Sequence, residues 1–295
     1  MAFLMMTKSG RYGDKAYRLI RWLATQGIQY FTLVLVSLVF LIPFYWVVVT
    51  SLKRLDLVFT DPPQWLPNPV MWENYHKVLF GKFFPFLLLL RNTVFYAGST
   101  TLGTVISSCI VAYAFARINF WGRNVLFGIT LSTMMLPGVV TLIPVYILFH
   151  KLHWVGTYAP LIVPAFLGNA FNIFLMRQFF LTIPHDLSDA AYVDGAGEFT
   201  ILWRIMLPLV TPVLMVVAVF QFMWAWNDFM GPLIYLNNSN LYPLVLGLSA
   251  FQSQHGVEWH LMMAAAVATT VPLIILFFIA QRYFIEGITM TGLKE

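Results

Sequence analysis

The chain has 295 residues, of which 60% are hydrophobic and only 10% charged, and it carries a formal net charge of +5. An ordinary soluble domain has about 25% charged and about 45–50% apolar residues, so these charges are too few to cover a soluble core and the composition excludes that class. The basic excess sits near the ends of apolar runs rather than on a patch interleaved with aromatics, which excludes nucleic acid as its explanation.

A basic stretch with Lys8, Arg11, Lys15, Arg18 and Arg21 comes first. The apolar run that begins near Gln29 is too long and too late for a secretory leader, and no small-residue cleavage site follows it. It reads as a retained signal anchor. A spanning helix needs about 20 mostly apolar residues. Six runs qualify: Tyr30–Leu52, broken only by Pro43; Asn92–Phe115; Val125–Phe149, with Pro137 and Pro144 inside it; Ala159–Phe179; Leu209–Trp226, with Ile234 as its outer limit; and Met262–Phe284. An all-α integral membrane protein follows. The single cysteine, Cys109, lies in the second run and leaves neither a disulfide framework nor zinc spacing.

Lys and Arg counts give the orientation. With the N-terminus inside, 11 of the 17 fall in inside segments and 6 outside, so both termini are expected on the cytoplasmic side. Two external loops follow from that. One is Lys53–Phe86, rich in Pro and Trp, whose aromatics fit an interfacial belt or a short surface helix. The other is Asn237–His260. The polar stretch Asp186–Pro208 falls on the cytoplasmic face. The expected division is a cytoplasmic segment 1–28, a first span and external loop 29–85, a five-helix core 86–284 with a cytoplasmic loop at 186–208, and a cytoplasmic tail 285–295.

Pro137, Pro144, Pro164, Pro212 and Pro272 fall at or near membrane depth. Backbone groups freed there are satisfied by neighbouring helices or by a water-filled cavity. Each proline reads either as a structural kink or as a gating break. No repeat relates the two halves of the chain, which points to a second subunit for any missing half.

The stretch 186–208 carries the most pattern. Asp186 or Ser188 is a plausible N-cap, and Asp189 lies in the first turn, where the helix dipole favours a carboxylate. Ala190 and Ala191 permit close approach of a partner. Gly195 and Gly197 bracket a turn, since glycine accepts the left-handed conformation at a helix end. Phe199–Leu207 is a second amphipathic helix ended by Pro208. Either a helix–turn–helix on the membrane surface or a simple connecting loop fits.

DAAYVDGA at Asp189–Ala196, with nine residues (196–204) between its Gly195 and the I-x-L-P of Ile205–Pro208, resembles the Glu-Ala-Ala loop of ABC importer permeases, with Asp189 in place of the usual Glu. TSLK at Thr50–Lys53, FLMRQFF at Phe174–Phe180, Ile183–Pro184, AWNDFMGPLIYL at Ala225–Leu236 and the run Pro272–Thr289 resemble the carbohydrate, maltose-type branch. The likeness implies a type-1 importer permease fold of six spans, in a bacterial cytoplasmic (inner) membrane. It implies a coupling loop whose docking surface is Asp189, Ala190, Ala191, Asp194 and Gly195, with Leu207 and Pro208 marking the return to the membrane. The implied partners are a second permease chain as heterodimer, a dimer of ATPase subunits, an extracytoplasmic sugar-binding protein and a saccharide. The tail 286–295 is implied to reach the ATPase dimer. The chain lacks a Walker-type phosphate loop, so ATP and magnesium are expected on the ATPase partner, with no cofactor and no catalytic residue here.

Asn227 and Asp228 are candidates for the solute path, because an ionisable group near a span faces a cavity or a partner. Asp228 equally fits a cap at a membrane exit facing water. Asn169 and Asn172 fit either a pore or helix–helix contact. Trp224, Trp226 and Tyr235 are the aromatics singled out for stacking on a sugar. His150 and His153 share a helix face by spacing and fit a solvated membrane edge better than a metal site.

Overall fold

The computed structural model describes residues 3–81, 84–253 and 256–292. Helix α1 (Phe3–Ser51) is continuous through Pro43, and its apolar part, Gln26–Ser51, is long enough to cross a membrane. It ends where TSLK begins to turn. The Asn74 amide of α2 (Glu73–Phe80) donates to the Ser51 and Lys53 carbonyls at 2.8 and 2.9 Å. The Ser51 and Tyr75 hydroxyls lie 2.7 Å apart, so the orphan carbonyls of the helix end are capped by the loop that follows.

The central element is α3 (Phe86–Arg117), a 32-residue helix packed on α7, α11 and the segment 163–167. Its sequence alternates bulky residues with Gly, Ala, Ser and Thr, which lets neighbours come close. At Gly103 an added Cβ would stand 2.6 Å from the Phe166 ring.

The third predicted span is not one rod. It divides into α4 (Arg123–Thr133) and α5 (Gly138–Lys151), bent by 99°. Pro137 has no N–H and disfavours a helical Leu136, so α4 stops and i→i−3 bonds close Met134, Met135 and Leu136. Pro144 stays within α5. The fourth span comprises α6 (Ala159–Ile162), a 3₁₀ segment (Val163–Leu167) containing Pro164, and α7 (Ala170–Thr182). Gly168, at φ +92°, separates its two parts.

Next come α8 (Asp186–Val193), α9 (Glu198–Ile201), a π-helical segment (Leu202–Met206) and the single turn α10 (Leu207–Leu209). Pro208 does not end this helix as expected. The break is at Val210, and residues 198–209 stand at 79° to α11 (Thr211–Trp226). Pro212 occupies the first turn of α11, where its missing N–H costs nothing. α12 (Met230–Tyr235) and α13 (Leu244–Gly247) are short. A two-residue antiparallel ladder pairs Gln252–Ser253 with Gly256–Val257, a small addition to the all-helical expectation.

α14 (Trp259–Gly292) contains Pro272 and packs on α1 and α11. It continues as helix past residue 285 to Gly292, and the end of the expected tail, 293–295, lies outside the described residues. Among the described residues, four helices are long and apolar enough to span, or six if each bent pair is one span.

Two apolar clusters mark the two ends of α3. One gathers Tyr113, Ala116, Phe180, Ala191, Ile201, Met206 and Val213. The other gathers Val78, Leu89, Tyr96, Trp226, Leu244 and Ala264. The stretch 186–208 and the two predicted external loops therefore sit at opposite ends of the molecule.

Candidate functional site

A cavity of about 870 Å³ opens between α3, α5, α7, α11 and α12. Four of the five predicted path residues, Asn169, Asn172, Asp228 and Tyr235, line it. The fifth, Asn227, is exposed and outside it, because the helix end turns its side chain back to donate to the Met223 carbonyl at 2.7 Å. Of the three aromatics singled out, Trp224 and Tyr235 line the cavity. Trp226 is 1% exposed and belongs to the apolar core.

Asp228 is held on both oxygens. Tyr96 Oη donates to Oδ2 at 2.6 Å, and the Gly231 N–H donates to Oδ1 at 3.0 Å. A Cβ at position 231 would lie 2.5 Å from Oδ2, so glycine is needed for this approach. Asn169 caps α7 by accepting from the Asn172 N–H at 3.1 Å. Asn172 is buried and turned to the cavity, with Thr100, Thr104 and Gln221 nearby in the wall. The sequence missed Tyr96, Thr100, Thr104 and Gln221, since hydroxyls and amides inside apolar helices carry no spacing signal of their own.

Near the C-terminal end of α3, the N-cap of α8 is His185, not Asp186 or Ser188. Asp189 falls in its first turn as expected, and Asp186 joins it there instead of capping the helix. It ends in a Schellman motif: the Gly195 N–H donates to the Tyr192 carbonyl at 3.0 Å and the Ala196 N–H to the Ala191 carbonyl at 2.9 Å. Gly195 has φ +81°. Gly197 is extended and starts α9, so only one of the two predicted glycines needs left-handed backbone.

Asp189, Ala190, Asp194 and Gly195 are exposed together on this turn. Ala191 is a correction. It is 7% exposed and belongs to the cluster of Tyr113, Phe180 and Ile201, so its small side chain packs inward rather than forming part of the outer surface. Leu207 is half-buried at the edge of that cluster, and Pro208 is exposed.

Glu198 joins these elements. Tyr113 Oη of α3 donates to its Oε2 at 2.6 Å, and the Tyr192 hydroxyl of α8 donates to Oε1. That second bond pushes the Tyr192 phenol up to about 12. Arg117, on the last turn of α3, donates to the Phe180 carbonyl at 2.7 Å and to the Ile183 carbonyl, capping the end of α7.

Lys53 is 1% exposed, and its ammonium lies 4.4 Å from the centroid of the Trp46 ring, without a hydrogen-bond partner among the described residues. Burial lowers its pKa. His153 does not share the helix face of His150: it is the left-handed residue, at φ 56°, that closes α5. No group of three metal-ligating side chains occurs among the described residues.

The family of binding-protein-dependent transport system inner membrane components matches residues 99–289. The trehalose/maltose transport system permease protein MalG of Thermococcus litoralis is 32% identical over 268 residues, covering 88% of this chain and 94% of that one. The sn-glycerol-3-phosphate transport system permease protein UgpE of Yersinia pestis is 31% identical over 262 residues, covering 87% and 93%. A crystal structure of a bacterial ABC transporter involved in the import of the acidic polysaccharide alginate contains a chain that superposes with a TM-score of 0.78 at 25% identity. The superposition covers 87% of this chain and 95% of that one.

Proposed function

Because the chain belongs to the family of binding-protein-dependent transport system inner membrane components, and is thus a multi-pass membrane subunit of an ABC importer, we propose that it moves a saccharide through the cavity beside α3. One observation carries the proposal: the cavity lies against the middle of α3, at Tyr96, Thr100 and Thr104, and the closed turn at 186–197 is joined to the same helix near its C-terminal end, through Glu198 and Tyr113. Alternating access, driven by ATP hydrolysis on partner subunits, would couple the two. The cavity wall supports a sugar, since it offers amides, hydroxyls and the Trp224 and Tyr235 rings. Asp228, the one charged side chain among the described residues of the wall, is already engaged by Tyr96 and Gly231.

On this reading both termini and the 186–208 turn face the cytoplasm, where Asp189, Ala190, Asp194 and Gly195 meet an ATPase subunit of a dimer that carries ATP and magnesium. A second permease chain completes the path, and an extracytoplasmic sugar-binding protein delivers the solute. The glycerol-phosphate relative keeps a phosphate-bearing solute as the alternative. ATP hydrolysis by the assembled importer, measured with the loaded binding protein, decides between them. Stimulation by neutral saccharides and not by glycerol phosphate is expected. Stimulation by glycerol phosphate alone rejects the sugar.

A further inference from the structure

The carboxylate of Glu198 receives two phenols from two different elements, one from the exposed turn and one from the helix that lines the cavity. Tyr113 and Tyr96 lie 17 residues apart on α3, or roughly 26 Å along the axis. Each is bonded to a carboxylate from elsewhere: Tyr113 to Glu198 at one end, Tyr96 to Asp228 at the other.

We propose that Glu198 is a positioning residue that fastens the 186–197 turn to α3, so that displacement of the turn is passed along α3 to Asp228 at the cavity. This deepens the reading of the chain as an ATP-coupled permease and rests on it. Among the described residues Glu198 is not part of the cavity wall, and its carboxylate bonds Tyr113 and Tyr192. Ala191, Ile201 and Met206 pack beside the joint and hold the turn against α3. The apolar contact alone permits sliding. Two hydrogen bonds to one charged acceptor, each stronger than a neutral pair, fix the register.

Glu198 opens α9, so its backbone moves with the turn. The π-helical segment and the 79° bend that follow separate it from α11. The most direct route from the turn to the cavity thus runs through Tyr113 and α3 rather than along the chain into α11.

The test uses the complete importer in proteoliposomes with its loaded binding protein, and reads solute moved per ATP hydrolysed. Glu198→Ala and Tyr113→Phe should each lower that ratio by roughly threefold or more, while the ATPase subunits still co-purify; residues along coupling networks change coupling on this scale. The double variant should fall no further than either single one. Glu198→Gln keeps an acceptor for one phenol and an amide for the other, and should restore most of the ratio. A purely structural role predicts instead that uptake and hydrolysis fall in parallel. That result, or an unchanged ratio in both single variants, overturns the proposal while leaving the permease reading in place. A wild-type complex without ATP-driven uptake overturns the permease reading itself.

Discussion

Tyr96 and Asp228, 132 positions apart in sequence, share a hydrogen bond of 2.6 Å that ties α3 to the link between α11 and α12 at the cavity wall. Asp228→Ala removes the acceptor of both Tyr96 and the Gly231 N–H. Leaving such groups unpaired costs about 1–3 kcal/mol. A lower melting temperature of the purified subunit is expected, together with lost uptake. Asp228→Asn, which still accepts from Gly231, should recover most of the stability. Equal melting temperatures for Asp228→Ala and the wild type would deny that the bond holds the wall.

Gly195 tests the turn separately from its surroundings. An added Cβ would meet nothing within 4 Å, yet φ is +81°. Gly195→Ala therefore costs only the left-handed backbone penalty, about 1–2 kcal/mol, and Gly195→Asn costs less. Gly195→Trp should add a second effect, loss of ATPase co-purification from a subunit that melts no lower than Gly195→Ala. ATPase retained by Gly195→Trp would place the docking surface elsewhere.

Tyr192 supplies a pH signature. Its phenol is raised from 10.0 to about 12 by the bond to Glu198, so the folded state holds a proton that the unfolded chain releases near 10.0. The stabilisation is complete below about pH 10 and is lost as pH rises through 12. Phenolate absorbance should show one tyrosine fewer in the late part of the titration in Tyr192→Phe. An unchanged late step would mean the phenol is free.

Lys53 stands buried with its ammonium over the Trp46 face and, among the described residues, without a hydrogen-bond partner. Its lowered pKa means that the charged form is penalised in the folded state. The penalty is present below that lowered value and is relieved as pH climbs towards 10.5. Lys53→Met keeps the stem and removes the ammonium, so thermal stability at neutral pH should hold or rise. A large loss of stability would reveal an ionic partner that the isolated chain does not contain.

Much of this was legible before any coordinates. Long apolar runs announced the spans, and Gly195 and Gly197 together marked the turn, although only Gly195 takes the left-handed backbone that a helix end needs. Prolines marked where helices break, but not by how much. The bend at Pro137 is 99°, and the break after 198–209 falls at Val210 rather than Pro208. Ala191 and Asp189 look alike as members of one motif, yet helix phase turns one inward and the other out. Tyr113 and Glu198 are 85 residues apart, and nothing in local pattern foretells a bond that only the packed fold creates.

On the proposed function, this subunit admits a saccharide only when ATP is hydrolysed on its partners. Labelled saccharide uptake into proteoliposomes holding the full complex measures it, with ATP inside or outside and with or without an ion gradient. The account predicts uptake that requires ATP on the ATPase side and is indifferent to the gradient. Gradient-driven uptake by this chain without any ATPase subunit would contradict it.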